Sequence, residues 1–401
     1  MNKRLKLLIA GLVTSAVAVL AVPLVAYAVA GPSCTVGATG SDYTTIQAAV
    51  NDTNCTTIKV KAGTYNENVT ISRSLTLKGA KSGVDVDGRT FAVANESTIS
   101  GAGAVDAPAI TVNAPGVTIN GFSVTDPNHG TAVTIKTAGN DVVFKNNIVD
   151  TVGGVSYSPN ATGVYLEYGP DNVKVTGNRI TNIQSVPTAQ GILIGDSTST
   201  NPSLDIIVDS NTVSNVKSTR GAYGIQANNG AKATGYTELK ARGNTIKDLT
   251  GGWVHAIGLE GKTPNAVVRY NVISGLNAAG ADKVAVWFED NPFFFTVAVN
   301  RNSLNVGSTA AGVAVAGPLV TQYPSLTVDA ECNWWGASNG AGAVASGSGS
   351  LIGPGVDSSP WLKSANLDSK CGDKDKNHKD DNHHGNEDCK DDDKRNTRYN
   401  D

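Results

Sequence analysis

An asparagine returns along this chain about every thirty residues, and that recurrence constrains the fold more than any other feature of the sequence. The segments FKNNIVD, VTGNRITN, VDSNTVSN, ARGNTIKD, VRYNVISG, VNRNSLNV and AECNWWG place it at Asn147, Asn178, Asn211, Asn244, Asn271, Asn302 and Asn333. The spacings are 31, 33, 33, 27, 31 and 31 residues, and a weaker copy, VTINGFSV, puts Asn120 a further 27 residues upstream.

Each unit carries a second marker, a strand that opens with a small residue: TAVTIK, TGVYLEY, QGILIGD, YGIQANN, HAIGLEG, VAVWFED and AGVAVAG. Apolar residues alternate strictly within these strands, from Val133 and Ile135 through Val164 and Leu166, Ile257 and Leu259, and Val286 and Phe288 to Val313 and Val315. Residues two apart on a strand share a face, so these positions predict one continuous interior stripe. A unit therefore reads as strand, turn, strand (as in NVKVTG), an Asn turn, then a short third strand (RIT). Three such strands stacked in parallel on their neighbours make one coil of a β-solenoid, with about ten coils in the chain. The Asn suits a left-handed turn residue, and its amide can bond the equivalent Asn one coil away. The 44 glycines and the single Met fit many short strands and tight turns.

Both ends read as caps. TTIQAAVNDTNC has a Thr N-cap and helical spacing of Ile46, Ala49 and Val50, which predicts a helix covering the open first coil. The Gly-rich stretch from NWWGASNG to SSPWL is expected to close the other end, with Trp334 and Trp335 as packing residues. The expected organisation is thus a signal segment at 1–30, the β-helix at 31–363 and a charged tail at 364–401.

The first segment is basic at Lys3, Arg4 and Lys6, runs apolar from Leu7 and ends in Ala-x-Ala patterns, as an export signal does. An uncleaved anchor is the alternative, and is the one route by which this chain would meet a membrane. Export makes the five cysteines oxidisable. Cys34 and Cys55 bracket the first helix and are expected to pair. Cys332 is expected to meet Cys371 rather than Cys389, which leaves one thiol over.

The net charge of −3 is localised. Residues 364–401 hold eleven acids and eight bases, leaving 24 of each for the preceding chain. A neutral body without a basic stripe excludes nucleic acid as the expected partner. His378, His383 and His384 lie among the acids of the tail, where a solvated, unstructured run is the expectation and no metal site is assigned.

TTIQAAV, GTYNENV, the Gly-Val and Gly-Ile strand openings, the Asn turns and the ending from CNWWG to SPWL resemble bacterial right-handed parallel β-helix repeat proteins of the pectin-lyase-like superfamily. The resemblance covers about residues 34–362 and implies an all-β, right-handed parallel β-helix. It does not imply one activity, because that superfamily includes lyases, hydrolases, esterases, epimerases and adhesins. GTYNENV also resembles the opening of pectin methylesterases, whose later motifs of the QAVAL, DFIFG and LGRPW type are missing. The sequence has no G-x-S-x-G, Walker loop or H-E-x-x-H either.

Stacking the strands yields a site. The outward position after the second interior residue is Lys136, Glu167, Gly195, Asn228, Glu260, Glu289 and Ala316. Glu260 and Glu289 fall on adjacent coils about 4.8 Å apart, and are the candidate catalytic pair. Carboxylates that close repel, so a shared proton or a bound calcium ion is expected. Trp287, His255, Trp253, Asp290, Tyr165 and Glu167 are the candidate ligand-binding residues. Acids suit glycoside hydrolysis or calcium-assisted lyase chemistry, and Trp faces stack on sugars. The expected protein is a secreted or cell-surface monomer that recognises polysaccharide, with a polysaccharide lyase or hydrolase, and a ligandless adhesive spacer, as alternatives. An ordinary solvated stripe competes with every one of these site assignments.

Overall fold

The computed structural model describes residues 32–91, 94–102, 107–195, 201–229, 235–343 and 346–371. The segment expected to direct export, 1–30, lies outside the described residues, as do Cys389 and the tail histidines.

Three parallel sheets of 12, 9 and 11 strands run the length of the molecule, and successive strands in each sheet come from successive coils. In chain order each coil supplies one strand to the first, second and third sheet, as in Lys174–Thr176, Arg179–Ser185 and Thr188–Ile194. Nine coils are complete in this sense, and together they form a right-handed parallel β-helix. The predicted stripe is the core of the third sheet: Val133, Val164, Ile192, Ile225, Ile257, Val286 and Val313 are in register and fully buried.

The recurring Asn sits at the turn between the first and second sheets and forms a continuous ladder. Asn178 donates its backbone N–H and its side-chain N–H to Asn211 Oδ1, both at 3.0 Å, and a second side-chain N–H to Phe144 O at 2.9 Å. The same pattern repeats from Asn147 through Asn302, and Asn333 closes it. Every amide is thereby satisfied inside the protein, which is what allows a polar residue to be buried in each coil.

Two expectations about this turn need correction. The left-handed residue is the one before the ladder Asn, with φ of 52° at Asn146, 61° at Gly177, 55° at Ser210 and 59° at Tyr270. The Asn itself begins the next strand, where its side chain can turn back under the coil. Asn120 is off the ladder: it pairs with Lys145, and the register places Phe122 where the eighth amide would stand.

The N-terminal helix spans Ile46–Asn51, with Thr45 as N-cap and Ile46, Ala49 and Val50 buried. Glu67, from the GTYNENV segment, accepts from the backbone N–H groups of Ile46 and Gln47 at 2.8 and 2.9 Å. The segment that resembles an esterase opening therefore anchors the cap. Gln47 in turn exchanges two hydrogen bonds with Thr70 and so satisfies the third sheet's first edge strand. At the other end Trp335 is fully buried under Gly312, where a Cβ would lie 2.6 Å from the indole.

Both expected disulfides are present, Cys34–Cys55 and Cys332–Cys371. The second carries the described chain past 363, and Arg301 donates to the carbonyls of Leu367 and Ser369. Cutting the chain after 363 should therefore cost about 2–4 kcal/mol of stability, read as a lower denaturant midpoint. Replacing Asn244 by Ala orphans buried partners on both neighbouring coils and should cost about 3 kcal/mol. Asn277→Ala, at an exposed strand position, should stay within about 0.5 kcal/mol in the same titration.

Candidate functional site

The strands of the third sheet present their outward residues as rows across the coils. One row runs Thr134, Tyr165, Leu193, Gln226, Gly258, Trp287 and Ala314, and the next includes Asn228, Glu260 and Glu289. Glu260 and Glu289 are thus direct cross-strand partners on one face, as their spacing in sequence predicts.

Their carboxyl groups nonetheless point to different partners. Glu260 is largely buried and accepts from Gln226 Nε2 at 2.7 Å, whereas Glu289 is exposed and accepts from Trp287 Nε1 at 3.1 Å. No hydrogen bond joins the two acids, so the expected shared proton has no bridge. Burial pushes the Glu260 carboxyl above the ordinary carboxylate range. The Gln226 hydrogen bond and the nearby His255 oppose the shift, and the Glu289 charge adds only a lesser push upward. Glu260 Oε1 has no hydrogen-bond partner among the described residues, although Tyr223 lies close enough to ease the ionised form.

Gln226 is one link of a longer chain. Thr162 Oγ1 donates to Gln190 Oε1 at 3.0 Å, Gln190 Nε2 donates to Gln226 Oε1 at 3.0 Å, and Gln226 passes the polarity on to Glu260. This amide ladder links four coils on the outer face and holds the Glu260 carboxyl in one orientation.

Aromatic rings stand beside the acids. His255 stacks on Trp287 with centroids 5.0 Å apart and planes at 27°, and meets Tyr223 edge-on at 5.3 Å. Trp253 Nε1 donates to the Tyr223 hydroxyl at 3.3 Å, and the Arg220 guanidinium lies 5.7 Å from the Trp253 ring. Burial, reinforced by Glu260, raises the Tyr223 hydroxyl far above its usual range, so it stays protonated as a donor. His255 is held at Nε2 by Asp282 at 3.0 Å, while its buried Nδ1 has no partner among the described residues. At Gly258 the outward row is empty; a Cβ there would lie 3.2 Å from Tyr223 and 3.3 Å from Glu260 Oε1.

His255 was expected at this site, but Tyr223 was not: alternation assigns Tyr223 the inward face of Ile225. The chain breaks its alternation at the next residue. Gly224 faces inward, where a Cβ would lie 2.5 Å from Ile246, so two successive residues point to the core and the one before them turns out. Gln190 and Gln226 carry no signature beyond their polarity on an otherwise apolar strand.

Five of the eight residues expected from sequence come together here: Glu260, Glu289, Trp287, His255 and Trp253. Asp290 is exposed at φ 50° just past the strand. Tyr165 and Glu167 belong elsewhere. They line a separate cleft of about 350 Å³ with Thr134, Lys136, Tyr157 and Asn160, in which Lys136 and Glu167 approach to 3.4 Å. Three coils separate Tyr165 from Gly258, or about 14 Å along the rod.

The donor set does not fit calcium. That ion takes six to eight oxygen ligands, and the two carboxylates here are turned to different partners. Among the described residues no three His, Cys, Asp or Glu side chains are grouped as a metal site. Nor is any described helix long and apolar enough to cross a membrane.

No family model matches the sequence, and no curated protein matches it. Several solved structures align with it, two of which are an alginate lyase and a tailspike protein. An alginate lyase from Paenibacillus sp. shares 13% identity at a TM-score of 0.37, over 78% of this chain and 96% of that one. The Dettilon tailspike protein shares 13% identity at a TM-score of 0.38, over 69% of this chain and 52% of that one, so this chain spans about half its length. Likeness at that level carries no argument about a ligand.

Glu260→Gln gives a direct check on the buried carboxyl. A raised folded-state pKa means the folded protein holds the proton more tightly, so stability falls as pH rises from the ordinary carboxylate range through the folded value. The Gln variant keeps an oxygen for Gln226 without that charge. It should match the wild type in stability at acidic pH and exceed it at neutral pH, in thermal melts across pH 3–8 read as the difference between the two proteins.

Proposed function

We propose that this is an exported protein whose lateral face, the outer surface of the third sheet, recognises polysaccharide. The observation that carries the reading is the cluster of Trp287, His255, Tyr223 and Trp253 around one buried and one exposed carboxyl. Aromatic faces provide flat apolar platforms with polar edges, and acids beside them accept hydroxyl hydrogen bonds; sugar rings need both. The cluster is built on strands rather than loops, so its side chains are held by cross-strand partners in both directions. Two disulfides suit an oxidising compartment, and secretion or display at a cell surface accounts for them and for the export-like N-terminus.

A second reading has one observation in its favour. A carboxyl that burial makes harder to ionise is suited to general-acid work, and burial raises the Glu260 carboxyl in that direction. On this reading Glu260 would protonate a glycosidic oxygen, and the protein would cleave what it holds.

Incubation with a panel of immobilised neutral, uronate and amino polysaccharides separates these readings. Recognition predicts retention without released sugar, and hydrolysis or elimination predicts soluble product. Trp287→Ala should reduce retention at least about tenfold while leaving the melting transition within a few degrees, because the indole is half-buried and packs on the outer face. Unchanged retention in that variant, or no retention on any polymer, would leave the protein as an adhesive or spacing rod.

A further inference from the structure

The Trp287 site has a chemical preference of its own. One face of the indole is covered by His255, but on the following coil its cross-strand partner is Ala314, a methyl group that leaves the opposite face open. At the rim of that face stands the exposed Glu289 carboxylate, held in place by the indole N–H through one oxygen. An open indole face with an oriented carboxylate at its edge is an ammonium site: the ring quadrupole attracts a cation, and the carboxylate pairs with it.

The other charges near the cluster are Asp282, bonded to His255, and Asp290, next to Glu289, against two positive charges, Lys283 beside Thr309 and Arg220 over the Trp253 ring. With Glu289 the acids outnumber the bases three to two. The unpartnered His255 Nδ1, on a side chain 3% exposed, and the unpartnered Glu260 Oε1 are further buried polar atoms within the cluster. A polyuronate would bring one negative charge per sugar against Glu289, Asp282 and Asp290, which outnumber Lys283 and Arg220 here. An amino sugar brings the opposite charge.

Resting on the glycan reading above, we infer that the ligand is a polysaccharide bearing protonated amino groups, a polymer of N-unsubstituted hexosamine, whose ring stacks on Trp287 and whose ammonium pairs with Glu289. The ring supplies the apolar contact and the ammonium the specificity. N-acetylation would remove the charge and keep the ring, so it isolates the second contribution from the first.

The test is isothermal titration of the full chain with three oligomers of equal length: a β-linked glucosamine oligomer, the same oligomer fully N-acetylated, and an oligouronate. The amino oligomer should bind about tenfold tighter than its acetylated form, as expected for a hydrogen bond between charged groups, and the oligouronate weakest of the three. Raising salt should narrow the gap, because Glu289 is exposed. Glu289→Gln, a surface change that keeps a partner for the Trp287 N–H, should bring the amino and acetylated oligomers within about twofold. Equal or tighter binding of the acetylated or uronate oligomer, or no effect of Glu289→Gln, overturns the amine preference. If Trp287→Ala abolishes binding while Glu289→Gln does nothing, the glycan face stands and the ammonium site falls. If Trp287→Ala leaves all binding unchanged, both fall together.

Discussion

Each stacked asparagine is held by the coil before it and holds the coil after it, and the rest of the molecule depends on that reciprocity. A parallel solenoid needs every coil to keep the same register, because a slip of one residue would turn an apolar stripe to solvent. Backbone ladders alone tolerate such slips. A buried amide whose two N–H groups and oxygen all find partners in one register does not, since any other register orphans them at 1–3 kcal/mol each. The ladder of seven asparagines from Asn147 to Asn333 therefore acts as the pin of the stack.

Register fixed on one side of the coil becomes geometry on another. Because the third sheet follows the second within each coil, the ladder places Gln226, Gly258 and Trp287 in one row and Glu260 beside Glu289 in the next. The polar chain from Thr162 to Glu260 then repeats on the outer face what the asparagines do inside: side-chain amides bridging coils and orienting one another. Its consequence is chemical rather than structural. It fixes a carboxyl that is costly to ionise next to an aromatic platform, and so concentrates on a few coils the groups that a saccharide can use.

Much of the fold was legible because it is periodic. The interior stripe, the Asn interval, the cap around Ile46 and both disulfide pairings follow from residue type and spacing, and the structure has each of them. The left-handed turn residue was misplaced because Asn, Gly, Ser, Tyr, Arg and Cys all occupy it, which leaves no compositional trace. The site was half legible. Alternation found Glu260, Glu289 and Trp287, but it could not find Tyr223, whose outward direction is set by the inward turn of Gly224. Tyr165 and Glu167 were grouped with the cluster because each has the right parity, whereas a site also requires nearness along the stack, and Tyr165 lies three coil steps from Gly258.

Polysaccharide recognition on this rod requires that a sugar occupy the open face of Trp287. A crystal structure of the full chain grown with a saturating glucosamine oligomer reads this directly. It should show a pyranose ring stacked on the indole opposite His255, with its amine at the Glu289 carboxylate. A ring bound elsewhere on the rod, or an empty Trp287 face at saturation with the oligomer bound in solution, would contradict it.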